Sequence, residues 1–152
     1  MNLKKNKIGI LGGSFDPAHK GHLAISKEAA KKFKLKKIIW AITKKNPFKK
    51  KSSLSLSSRI LFCKKITKKS NFIEVKFLEN KIKSNKTIHL VNFFTKNKKN
   101  EIYFLMGADN LINFHKWHKW KDISQKCIII VFDRYGYKKK SLNSKTYKSL
   151  NK

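Results

Sequence analysis

Arginine is nearly missing from a chain crowded with positive charge: of 38 basic residues in 152, only Arg59 and Arg134 are arginine, set against eight acids for a net charge of +30. Charge of that size points first to nucleic acid or an anionic surface. Proteins that read phosphates and base edges favour Arg for its bidentate fork, however. The lysines here are spread along the whole chain, in runs such as Lys49 to Lys51 and Lys138 to Lys140, without the interleaved aromatics on which single strands stack. We read them as a solvated face that attracts anionic substrates and gives salt-sensitive nonspecific binding, with no specific nucleic-acid partner. Scarce Ala, Gly and Pro beside abundant Lys, Asn, Ile and Phe fit the bias of an adenine- and thymine-rich coding sequence.

Other absences narrow the classes further. No run of eighteen apolar residues occurs, and the polar start Met1 to Lys7 leads into a short apolar strand instead of a signal-peptide core, so no membrane partner is expected and the cytoplasm is the default location. Only two cysteines are present, Cys63 and Cys127, each in an apolar run, which suits buried small hydrophobes better than a disulfide or a metal site. The G-x-G-x-x-G spacing and the Walker Gly-Lys-Ser/Thr are both absent, which argues against a bound dinucleotide cofactor and against a P-loop.

What is present is alternation. Apolar runs at Ile8 to Leu11, Ile38 to Ile42, Phe72 to Phe77, Ile102 to Met106 and Cys127 to Phe132 read as strands. Leu23 to Phe33, Leu56 to Thr67, Thr87 to Thr95 and Leu111 to Ile123 carry apolar residues at helical spacing, the last interrupted by aromatic and His positions. Nearly all-apolar strands imply burial on both faces, hence one α/β domain over residues 1–152 with a Rossmann-like parallel sheet of about five strands flanked by helices. Ligands of such sheets bind beyond the carboxyl ends of the strands. Asn46 to Ser53 and the tail from Gly136 read as polar loops.

The first strand runs into Gly12 and Gly13, where the backbone is expected to turn sharply and to let a phosphate approach without Cβ interference. Ser14, Phe15, Asp16 and Pro17 follow, then His19 and His22, three apart at a helix start and so on one face. Two imidazoles beside the free N–H groups of a first helical turn make a donor-rich place for a polyphosphate. A zinc site and two incidental surface histidines are the bland alternatives, but no third or fourth ligand lies at metal spacing.

The string GGSFDPAHKGH, Gly12 to His22, matches GG[ST]FDPxHxGH residue for residue, so the chain resembles the nicotinate-nucleotide adenylyltransferases among the HxGH nucleotidyltransferases. The resemblance runs from Lys7 to about Tyr137 and implies transfer of AMP from ATP to nicotinate mononucleotide. His19, His22 and Ser14 would be catalytic, and Gly12, Gly13, Gly107 and Asp109 would join them on ATP, Asp109 within MGADNL accepting from the ribose hydroxyls. Asp109 suits a helix N-cap equally well. Lys49 in NPFK, Thr87, Trp117 in HKWHKW and Arg134 in FDRYGY would hold the mononucleotide, the Trp117 ring against the pyridinium. Lys86 stands where the family has Tyr, and Tyr135 where it has Pro. Mg²⁺ is expected to arrive on the ATP phosphates, because no carboxylate cluster is visible to cage it.

Arg59 stays outside this site as a residue of special geometry, with a structural ion pair as one reading, and Trp120 is assigned to the core. The family continues past the RPGY turn into an I-S-S-T-x-x-R segment that grips triphosphate. That segment is missing before Lys152, and we read the chain as truncated. A sister enzyme, such as pantetheine-phosphate adenylyltransferase or a cytidylyltransferase, and an inactive basic nucleic-acid-binding remnant are the alternatives.

Overall fold

The computed structural model describes residues 4–44 and 54–133. Lys49, Arg134 and the two polar loops therefore lie outside the described residues.

Five strands, β1 (Asn6–Gly13), β2 (Lys37–Ile42), β3 (Ile73–Lys76), β4 (Asn100–Gly107) and β5 (Ile128–Phe132), form one sheet in the order β3-β2-β1-β4-β5, with every pairing parallel. Between them run α1 (Lys20–Phe33), α2 (Leu56–Ile66), α3 (Glu79–Ile82), α4 (Thr87–Thr95), α5 (Ala108–Asn113) and α6 (Trp120–Lys126). The alternating α/β architecture expected from the apolar runs is the one observed.

Strand periodicity divides the core in two. Ile8, Ile10, Ile39, Ala41, Ile102, Phe104 and Met106 point to one face and pack with Ile88, Val91 and Phe94 of α4 and with Leu111, Phe114 and Ile123. Leu11, Ile38, Trp40, Ile42, Tyr103 and Leu105 point to the other, against Ala29 of α1 and Cys63 of α2.

Three expectations need correction. Burial on both faces holds for the central strands β1, β2 and β4, but at the edge Ile128 and Val131 of β5 remain 46% and 40% exposed. The single helix expected over Leu111 to Ile123 breaks into α5, a 3₁₀ turn at Phe114–Lys116 and α6, because Lys119 takes the left-handed conformation, φ 52°, just before Trp120. Gly12 and Gly13 do not turn. They still pair with Ala41 and Ile42 inside the sheet, and the chain leaves the strand at Phe15, φ 50°, ahead of a cis Asp16–Pro17 bond.

Candidate active site

In this strand order the connections diverge between β1 and β4, which opens a crevice beyond their carboxyl ends. A cleft of about 1400 Å³ lies there. Gly12, Gly13 and Ser14 line it from the end of β1, His19 and His22 from the start of α1, and Gly107 and Asp109 from the end of β4. Thr87, the first residue of α4, and Trp117 complete the set, so every described residue assigned above to catalysis or binding borders one cavity.

Helix α1 is built around its two histidines. His19 is the N-cap, with extended backbone at φ −147° and ψ 178°, so it precedes the helix instead of sharing a face of it with His22. Its Nδ1 accepts the Gly21 N–H at 3.0 Å, while Nδ1 of His22 accepts the His19 N–H at 3.0 Å. This is a capping box with imidazoles in the places of the usual Ser/Thr and Glu/Gln. The rings lie 4.0 Å apart between centroids. In a neutral imidazole whose Nδ1 accepts, the proton resides on Nε2, so the box leaves both rings with their donor on the outer nitrogen. The first turn of α1 contains no acid and the last contains Lys31 and Lys32, charges that suit a helix whose N-terminus meets an anion.

Aromatic packing holds this cap in place. Phe15, 2% exposed, stacks on Trp40 at 5.0 Å and 20° and lies 4.7 Å from His22. A left-handed Phe is strained, and burial of its ring is what offsets that strain. Trp40 Nε1 donates to Ser26 Oγ at 2.9 Å, and Ser26 donates to the His22 carbonyl at 2.8 Å. None of these three residues was legible as a support of the histidines, since indole and hydroxyl are brought together only by packing β2 against α1.

On the opposite wall Asp109 is the second residue of α5, in its first turn, and Gly107 is the N-cap, so the cap reading of Asp109 is corrected. Trp117 is half-buried and meets Phe104 and Phe114 edge-on, at 6.0 and 5.1 Å. Trp120 packs on the core beside Phe114. Sequence reasoning also missed Glu79, which accepts from Thr43 Oγ1 at 2.6 Å and from the Lys44 N–H at 3.0 Å and so ties α3 to the end of β2. Its one sequence signal was the scarcity of acids. Ser84, bonded to His89 Nδ1 at 2.5 Å, and His118 also reach the cleft.

A parallel sheet in this order, with an imidazole-capped helix facing the crevice, defines a Rossmann-like nucleotidyltransferase. The cytidylyltransferase-like family model matches residues 10–150. A Pelagibacter ubique protein named probable nicotinate-nucleotide adenylyltransferase is 66% identical over 152 residues, all of this chain and 84% of that relative. A Bradyrhizobium sp. (strain ORS 278) protein of the same name is 34% identical over 146 residues, 95% of this chain and 76% of the relative. The nicotinic acid mononucleotide adenylyltransferase of Plasmodium falciparum, solved with NaAD, superposes with a TM-score of 0.78 at 20% identity, covering 91% of this chain and 70% of that one. The chain belongs to the cytidylyltransferase-like family and, within it, to the nicotinate-nucleotide adenylyltransferases, and is a nucleotidyltransferase.

Proposed function

We propose that the protein transfers AMP from ATP to nicotinate mononucleotide. A 5′-phosphate oxygen of the mononucleotide attacks the α-phosphorus of ATP, a new P–O bond forms, the bond to the bridging oxygen breaks, and pyrophosphate leaves with the electron pair. The attacking oxygen is already anionic, so no general base is required. What the site must supply is alignment of two anions and donors for charge on the phosphates.

The observation that carries this reading is the pair of capped histidines, which border the same cleft as Ser14, Gly107 and Asp109 and engage the helix cap through Nδ1, so that Nε2 is the nitrogen we assign to the phosphates. Gly12 and Gly13 support it too: a Cβ on either would make only ordinary contacts of 3.6 Å or more, so packing within the protein does not demand glycine, and close approach of a ligand remains a reason for it. Asp109 is assigned to ribose, and Thr87, Trp117, Lys49 and Arg134 to the mononucleotide. The residues assigned to the phosphates, Ser14, His19 and His22, are donors and not carboxylate ligands, so Mg²⁺ would arrive bound to ATP and would supply charge neutralisation for the departing pyrophosphate. Among the described residues no helix is long and apolar enough to cross a membrane. We place the protein in the cytoplasm, with no specific nucleic-acid partner.

Pyrophosphate release with ATP and nicotinate, nicotinamide or pantetheine phosphate acceptors tests the proposal. Release with nicotinate mononucleotide above the other two is expected. Tight DNA binding at physiological salt without saturable mononucleotide binding would replace it with the nucleic-acid reading.

A further inference from the structure

Arg59 is 2% exposed in the first part of α2, and among the described residues no carboxylate pairs with it. Instead its guanidinium donates to four backbone carbonyls. Nη1 reaches Ser14 O at 2.8 Å and Thr43 O at 2.7 Å, Nη2 reaches Lys44 O at 2.9 Å, and Nε reaches Leu54 O at 3.2 Å. One side chain therefore joins the loop after β1, the end of β2 and the approach to α2. The Asp16 carboxylate adds to this junction by accepting the Leu54 N–H at 3.0 Å.

We infer that Arg59 is a positioning residue for the adenylyl-transfer site, touching no substrate and setting the loop that does. Ser14 and Thr43 both line the cleft, and the Thr43 N–H is bonded to the Gly13 carbonyl at 2.9 Å, so the guanidinium fixes the two strand ends relative to each other. A trans peptide carries its C=O and N–H in opposite directions. Anchoring the Ser14 carbonyl on Arg59 turns the loop's acceptor away from an incoming anion and leaves donors on the other side. Four carbonyls from three segments need a planar fork, and a lysine ammonium, with three donors radiating from one atom, does not span them. This explains why arginine persists at this position in a chain that uses lysine for nearly all of its charge. The buried cation is balanced by carbonyl dipoles, which ties its burial to correct placement of the loop.

The inference rests on the proposed function for its choice of assay, so two readouts are paired on the full chain and its R59K and R59M variants. The first is pyrophosphate release, with kcat and the KM for ATP and nicotinate mononucleotide normalised to folded protein by circular dichroism. The second is hydrogen exchange at amides 13–16 and 43–44. R59K is expected to remain folded, lose at least about thirtyfold in kcat/KM through both constants, and exchange these amides faster than the rest of the sheet, as expected when a misplaced site loses alignment. If R59K shows wild-type kcat and KM per folded molecule, with only a lowered melting temperature, Arg59 is a core residue and the inference fails. If the wild type releases no pyrophosphate with any acceptor, the adenylyl-transfer reading fails instead. In that case exchange alone decides Arg59, and unaccelerated exchange in both variants overturns its role.

Discussion

Nδ1 of His22 accepts the backbone N–H of His19 at 3.0 Å, so the ring that caps α1 is also the one proposed to act on the phosphates in the cleft. Those two roles separate by mutation. His22→Ala removes both, and turnover should fall at least about a hundredfold, as for loss of a transition-state donor. Stability should fall by about 0.5–2 kcal/mol, the usual worth of a cap. His22→Glu keeps an acceptor at the third helical position, where Glu commonly closes a capping box. Its melting temperature should stay near wild type while turnover is abolished, since a carboxylate replaces a donor beside phosphates. Active His22→Glu enzyme would remove His22 from the chemistry.

Gly21 separates the roles from the other side. A Cβ there would lie 2.7 and 2.8 Å from atoms of the His19 ring, so alanine has to push that imidazole aside. The substitution also gains helix propensity, about 1 kcal/mol in a helix interior and less at the second position. Gly21→Ala should therefore melt within a few degrees of wild type yet lose most of its turnover. Thermal melts beside pyrophosphate release check this, and full activity would mean the His19 ring does not need its present place.

The facing wall has a matching pair in Gly107 and Asp109. A Cβ on Gly107 would collide with Asp109 Oδ1, and because φ of Gly107 is −74°, alanine meets no backbone strain there. Gly107→Ala should therefore shift the carboxylate with little loss of stability. The KM for ATP is expected to rise about tenfold or more, approaching that of Asp109→Ala, and the double variant should be no worse than Asp109→Ala alone. Additive effects in this cycle would show that Gly107 acts by another route.

Much of this was legible in the order of residues along the chain. The apolar runs gave the five strands to within two residues at every end, because central strands of a parallel sheet are buried on both faces and show it in composition. The Gly12 to His22 string placed the cleft, since a motif that long fixes a loop and a helix start together. Less visible were features created by tertiary contact. The turn fell to Phe15 rather than to the glycines, because stacking on Trp40 offsets a left-handed backbone that local propensity disfavours. Short α3 has only four residues, too few to display a period, yet its Glu79 ties down the end of β2. Arg59 stood out by rarity, but the carbonyls it binds come from segments up to 45 positions away in sequence.

Cys63, read from the sequence as a buried small hydrophobe, is fully buried against the second core and supplies a pH test of that packing. Burial pushes its thiol from 9.0 up to about 11, with the nearby Arg59 guanidinium pulling weakly the other way. The folded state thus holds a proton that the unfolded chain releases at lower pH, so the stabilisation is complete below pH 9.0 and is lost as pH rises toward about 11. A shift of that size corresponds to roughly 2–3 kcal/mol at most. Lysine and tyrosine titration also weakens the fold in this range, but it is common to the wild type and a Cys63→Ala variant. The difference between their urea-unfolding free energies isolates the thiol. It should be constant from pH 7 to 8.5 and then move steadily against the wild type through pH 11. A difference that stays flat to pH 11 would mean that the thiol ionises as freely in the fold as in water, and that α2 does not seal the sheet beneath Arg59.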